Sequence, residues 1–372
     1  MGLTALQTES EGLGATGIAE YRGATTAARF TDPDTEFAKL RHECGVYDLG
    51  NRAKIALTGG DRVRWLNGMV TNNVRDLAAG QGVYAFLLNP QGHILGELYA
   101  YNRGNSIVVD TDRSQMEKIL ATFDHYIIMD DVEVKSLSDS ITALGIAGPK
   151  SRQVLAAAGI AIPDTSPLQV FEAKCTCDCD CTHCTAVRGE DADYETYELW
   201  LAPADVRKTW DALVAHGATP VGSEALELDR IASGIPLYGV DIRERDLPQE
   251  TEQARALNFN KGCYIGQEIV ERIRSRGAVH RKFSGFLFEG AHAIAAGTKI
   301  ASGEKEVGEV TSAATLHFPN TEKTIALGYV RREIGNPGRE VMIGGVNAAV
   351  VPLPVPEGLL TQDRGAPVAR PA

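Results

Sequence analysis

The chain has 372 residues, of which 44% are hydrophobic and 23% charged, and it carries a formal net charge of −12. That length leaves room for two or three domains whose cores need no disulfide staple, and the acidic balance argues against a phosphate-backbone binder, so no nucleic-acid partner is expected. There is no run of about 18 apolar residues, which excludes a membrane-spanning helix from the expectation, and an N-terminal stretch with Glu9, Glu11 and Glu20 suits neither a signal nor a transit peptide; a cytoplasmic protein is expected.

Residues 1–28 are rich in Ala, Gly and Thr without a clear period and read as a loose segment. Arg52 to Thr58 alternates like a strand, and Gly59-Gly60-Asp61 leads to a short helix with Val63, Leu66 and Met69. Val83 to Leu88 and His93 to Tyr101 read as a hairpin around Asn89-Pro90-Gln91-Gly92. Ile107 to Val109 extends it. A helix follows, with Ser114 and Glu117 as a capping box and Met116, Ile119, Leu120 and Phe123 on one face. Asp131 to Leu137 and Ile141 to Ile146 read as strands. Gly148-Pro149 starts a helix that Gly159 stops.

Thr196 to Ala202 is a further strand. Pro203 opens a helix with Val206, Trp210, Leu213 and Val214 inward, and Ser223 caps another that runs to Ser233. From Lys282 the cadence changes to short strands between glycine turns, the pattern of a small β-barrel. The tail from Val351 is rich in proline and reads as disordered. The fold class expected is α+β: two α+β domains followed by a C-terminal β-barrel. The boundaries are 29–138 for the first α+β domain, 139–279 for the second, 280–353 for the barrel and 354–372 for the tail.

One octapeptide stands out, Lys261-Gly262-Cys263-Tyr264-Ile265-Gly266-Gln267-Glu268. Glycines on both sides of Cys263 let the backbone bend sharply. A helix opening at Gly266 and the Lys261 ammonium would both favour a thiolate at Cys263. A small cysteine packed in a tight turn is the competing reading. A second feature is Cys175-Thr176-Cys177-Asp178-Cys179-Asp180-Cys181-Thr182-His183-Cys184. Thiolates at Cys175, Cys177, Cys179, Cys181 and Cys184 with the His183 imidazole would suit a soft metal or an iron–sulfur unit. Redox-active thiols and plain packing on one strand face remain alternatives. Neither a Walker-type loop nor a Gly-x-Ser-x-Gly elbow is present.

The octapeptide resembles the K-G-C-[YF]-x-G-Q-E signature of the YgfZ family of folate-binding proteins, relatives of the glycine-cleavage T-protein (aminomethyltransferase). The resemblance runs from about His42 to Pro352 and includes Cys44-Gly45-Val46-Tyr47-Asp48-Leu49, Gly82-Val83-Tyr84, Leu88-Asn89, Tyr197-Glu198-Leu199, Gly234 to Gly239 and Arg281-Lys282. It implies a ring-like three-domain arrangement with a tetrahydrofolate or folate derivative bound near the centre. It also implies Cys263 and Lys261 as the functional pair, and folate contacts from Tyr84, Glu97, Tyr197, Glu198 and Arg230. Their chemistry fits: a carboxylate accepts from an aminopyrimidine edge, an arginine clamps an oxo or carboxylate group, and a tyrosine stacks.

T-proteins carry an Asp-Asp pair after the hairpin turn, one Asp assisting the folate nitrogen. Here Gly96 and Glu97 stand in those positions. Gly96 has no side chain for acid–base work, which favours a tetrahydrofolate-binding accessory protein for iron–sulfur enzymes, with iron–sulfur client or assembly proteins as partners and without turnover. The alternatives are a folate-dependent aminomethyltransferase and a metal-handling protein built on Cys175 to Cys184.

Overall fold

The computed structural model describes residues 2–9, 13–175, 183–190, 194–277 and 279–361. The chain forms two compact units. One comprises Met1–Leu226 with Arg255–Gln267, the other Glu227–Ala254 with Glu268–Ala372.

Among the described residues the first unit holds two large sheets and a two-stranded hairpin. An antiparallel sheet runs in the order Gly82–Leu88, Ile94–Asn102, Ile107–Asp112, Arg52–Thr58, Glu133–Ser136. The turn Asn89 to Gly92 joins its first two strands as the sequence suggests, with His93 N–H donating to Asn89 Oδ1 at 2.9 Å. On one face Ile55, Leu57, Leu98, Ala100 and Val109 pack with Ile119 and Phe123 of the helix Arg113–Tyr126. The capping box expected at Ser114 and Glu117 does not form. The helix starts at Arg113, and the Ser114 N–H instead donates to Arg22 O at 3.1 Å.

The second sheet runs in the order Ile160–Ala161, Val170–Cys175, His183–Arg188, Thr196–Leu201, Thr142–Ala147, Gly45–Asp48, Thr219–Val221. Gly45–Asp48 lies in the chain before any strand of the other sheet, so the expected boundary at 138/139 does not divide the sheets. Tyr101, Val108, Ala143, Val170, Val187 and Trp200 form a small core shared by both sheets.

Within the segment 1–28, expected to be loose, the described residues 2–9 and 13–28 are built in. Gly17–Tyr21 and Ala24–Arg29 form a hairpin, and Ala24, Ala27 and Ala28 are buried. Thr4 and Thr26 hydroxyls both donate to the buried Asp48 carboxylate. The turn at Arg22-Gly23 presses so closely on the helix start that a Cβ at Gly23 would lie 2.4 Å from Ser114 N.

The second unit centres on a closed barrel of six strands in the order Arg281–Glu289, Thr321–Arg331, Lys305–Phe318, Lys299–Ser302, Glu340–Ile343, Val346–Val351. Residues 227–254 belong with the barrel, not with the second sheet as expected. Arg281 holds Asp246 at 2.7 Å and Glu250 at 2.9 Å, and Asp241 accepts from the Thr311 and Ser312 hydroxyls. The expected tail at 354–372 begins with order. Val355 and Leu360 are buried, and Glu357–Thr361 is a short helix. No helix among the described residues is long and apolar enough to cross a membrane.

Candidate functional site

Strand alternation decides which side chains in the first unit can share a face. In Ile94–Asn102, Leu98 and Ala100 point into the helix-covered core, and a Cβ at Gly96 would meet Ile119 Cδ1 at 3.5 Å and Gln115 Oε1 at 3.2 Å. Glu97, Tyr99 and Tyr101 therefore face the other way. Position 96 aims at the helix, so its lack of a side chain takes no carboxylate from this face. A carboxylate at position 96 would therefore not have shared a face with Glu97.

Tyr84 comes to that face from the neighbouring strand, paired with Tyr99. Its hydroxyl donates to Glu97 Oε2. Glu97 is pushed above the ordinary carboxylate range by burial and by the Asp112 charge, against the Tyr84 hydrogen bond, Arg52 and Arg22. Burial and Glu97 raise the Tyr84 phenol well above its usual value, so it stays a neutral donor.

Glu198 arrives from Thr196–Leu201. Its Oε2 accepts the Trp200 indole N–H at 3.0 Å and lies 3.7 Å from Lys54 Nζ. Lys54 is 1% exposed, spans to Asp110 Oδ2 at 3.0 Å and sits 5.0 Å from the Trp200 ring centroid. The Lys54–Asp110 contact is an ion pair off the hydrogen-bond axis, for neither atom has an aligned partner. Arg52 completes the cluster, donating to Asp110 at 2.9 Å and Asp112 at 2.7 Å. Burial and Asp110 raise the Glu198 carboxyl, opposed by Lys54 and Arg52. Two carboxyls with raised proton affinity thus border one aromatic face.

Sequence reasoning missed Arg255. Its guanidinium carbon lies 4.3 Å from the Tyr84 ring centroid and it ion-pairs with Glu190, which also accepts from the Tyr99 hydroxyl at 3.3 Å. No local signal marks Arg255; Tyr99 was missed as well, although its two-residue spacing to Glu97 in one strand could have found it.

Two other expected folate contacts, Tyr197 and Arg230, have their partners within their own units. Tyr197 is one residue from Glu198 and so faces the opposite side of the strand. It is 1% exposed in the core of the second sheet, its hydroxyl donates to Glu195 at 2.9 Å, and burial pushes it up to about 12. Arg230 lies in the second unit at 3% exposure, where it donates to Asp241 at 2.6 Å, Ile235 O at 2.6 Å and Ser312 at 3.0 Å. Its donors are committed to that network.

The signature loop has a different internal logic from the one expected. Lys261 is 6% exposed and donates to three carbonyls, Asn67 O at 2.5 Å, Val70 O at 2.6 Å and Asn72 O at 2.7 Å. These carbonyls close the helix Arg62–Met69 and the turn after it. Burial pushes the Lys261 ammonium down to about 7, while three acceptors hold its three N–H bonds. The expected helix does follow Gly266, running Gln267–Arg276, and Gly266 itself sits at φ +82°. A Cβ at Gly266 would lie 2.6 Å from Asn89 O, so this glycine allows the loop to seat on the hairpin turn. Cys263 is an exposed free thiol.

Of the cysteine-rich segment, Cys177, Cys179, Cys181 and the His183 side chain lie outside the described residues. Cys184 is buried and outside any disulfide, and Cys175 is disulfide-bonded. No group of three or more His, Cys, Asp or Glu side chains suited to a metal occurs among the described residues.

Residues 13–261 match the GCVT N-terminal domain, and residues 281–355 match the glycine cleavage T-protein C-terminal barrel domain. The chain belongs to the glycine cleavage T-protein family. An aminomethyltransferase of Rubrobacter xylanophilus is 29% identical over 357 residues, covering 94% of this chain and 93% of that protein. One from Rippkaea orientalis is 29% identical over 350 residues, covering 90% and 91%. The crystal structure of glycine cleavage system aminomethyltransferase T from Bartonella henselae superposes with a TM-score of 0.84 at 22% identity, over 95% of this chain and 97% of that one, which shows a shared fold.

Proposed function

We propose that the chain binds a reduced folate on the Glu97/Glu198 face of its first unit and acts there as a folate-dependent aminomethyltransferase. The observation that carries this reading is geometric: Glu97, held by the Tyr84 hydroxyl, and Glu198, held by the Trp200 indole, border one row of aromatic rings, while Gly96 points to the helix. Glu198, oriented by the Trp200 indole N–H at Oε2, presents its carboxylate to the paired N–H donors of an aminopyrimidine edge. Glu97, oriented by the Tyr84 hydroxyl, holds or passes a proton at a folate nitrogen while the one-carbon unit is transferred. Tyr99 and Tyr84 supply the ring surface. The names of the relatives favour the same reaction.

The test is twofold. Calorimetry with 5-formyltetrahydrofolate should show binding to the wild type and at least about tenfold weaker binding to Glu198→Gln, the loss of a charge-assisted contact. Folate-dependent ammonia release from an aminomethylated lipoyl carrier should fall about 10²–10⁴-fold in Glu97→Gln while folate binding survives. Binding that is indifferent to Glu198→Gln would refute the assignment.

One observation favours a second reading, a folate-binding accessory role toward iron–sulfur enzymes. Cys263 is exposed on a loop whose flanking residues Lys261 and Gly266 are locked in place. Folate binding without any ammonia release, joined to a requirement for the Cys263 thiol when iron–sulfur enzyme activity is restored in cells lacking their own copy, would move the assignment there.

A further inference from the structure

The rings of Trp200, Tyr101, Tyr99 and Tyr84 follow one another along the first unit, with centroid spacings of 5.5, 6.2 and 5.0 Å. The row differs chemically at its two ends. Glu198 marks the Trp200 end, bound to the indole N–H. Arg255 marks the Tyr84 end, its guanidinium laid over the ring and paired with Glu190. Two further cations lie against these rings, Arg52 over Tyr99 and Lys54 over Trp200, and both are paired inside the protein. Lys54 is 1% and Arg52 10% exposed, sharing Asp110 with Asp112 and Glu198 as further partners, whereas the Arg255 side chain is 35% exposed.

A folate has the same polarity. Its aminopyrimidine edge calls for a carboxylate, and its far end carries the glutamyl carboxylates. We infer that Arg255 reads the anionic tail of the folate and that Glu190 is the internal carboxylate it leaves to do so. The inference rests on the folate reading above. Tyr84 is only 4% exposed, and Arg255 covers its ring, so exchange of Glu190 for a ligand carboxylate also uncovers the ring face. The anchor for this exchange is fixed. Asn72 Nδ2 donates to Arg255 O at 2.7 Å and the Thr71 hydroxyl donates to Ala256 O at 2.6 Å, so the movement belongs to the Arg255 side chain.

The experiment compares two probes by calorimetry on the full chain, 5-formyltetrahydrofolate and the tail-less 6-methyltetrahydropterin. In Arg255→Gln the folate should bind about 10–100-fold more weakly, the range expected for one charge-assisted pair, while the tail-less pterin binds as to wild type. In Glu190→Gln, which removes the competing carboxylate, folate affinity should rise severalfold and lose part of its salt dependence. Equal loss of both ligands in Arg255→Gln, or loss of neither, overturns the inference and leaves the folate reading standing. Wild-type protein that binds neither probe overturns the folate reading and this inference with it.

Discussion

Replacing Lys261 by methionine separates two roles for the signature lysine. Methionine keeps most of the stem volume and removes the ammonium. The carbonyls of Asn67, Val70 and Asn72 then lose their donor in a place where Lys261 itself is 6% exposed. An unsatisfied buried acceptor costs about 1–3 kcal/mol. Three would cost more than that, but relief of the buried charge offsets part, since burial already pulls the ammonium down to about 7. The expected net loss is about 2–4 kcal/mol, read as a lower urea midpoint by far-ultraviolet circular dichroism.

The lowered value also sets a sign. Between about 7 and the unfolded lysine value of about 10.4, the unfolded chain holds a proton that the folded chain has released. Stability from this group therefore rises with pH across that window, and Lys261→Met should flatten the rise. Cys263 gives an independent readout. A loosened loop alkylates faster at Cys263, whereas loss of a thiolate-promoting charge would slow it. A stability loss under about 1 kcal/mol with slower alkylation would refute the anchoring role.

Gly266→Ala should cost about 2–4 kcal/mol, combining a left-handed backbone with a Cβ placed 2.6 Å from Asn89 O; a thermal midpoint equal to wild type would contradict the seating of the loop on the hairpin turn. Arg230→Ala should destabilise the barrel-containing unit by about 3–5 kcal/mol, because Asp241 is fully buried, and should leave folate affinity of the remaining folded protein unchanged; a purely affinity-linked loss by calorimetry would return Arg230 to the ligand. Glu97 and Glu198 both have raised folded values, so the stability they contribute is fully present below the unfolded carboxylate value of about 4.3 and is lost as pH rises through the folded values. The double variant Glu97→Gln, Glu198→Gln should remove that slope from urea midpoints measured across the acid range; an unchanged slope would mean the two carboxyls titrate normally.

Much of the fold was written locally. The hairpin around Asn89 to Gly92, the Ile119/Phe123 helix face and the barrel cadence each follow from the period of a single element, because alternation and 3.6-residue spacing record which side of that element leaves water. Glu97, Tyr99 and their shared face are legible for the same reason. Tertiary contact decided the rest. Residues 17–29 lack a clear local pattern and form a hairpin because Asp48 and the start of the 113–126 helix receive them. Gly45–Asp48 joins a sheet whose other strands come after residue 140, a pairing no window of sequence contains. Lys261 looked like a neighbour for a thiolate two residues away, yet its acceptors lie 189–194 residues back in the chain. Arg255 has no periodic partner at all, and its place over Tyr84 depends on Thr71 and Asn72 gripping the backbone of 255–256. Period reports burial; only the assembled unit reports what a long, flexible charged side chain finds at its end.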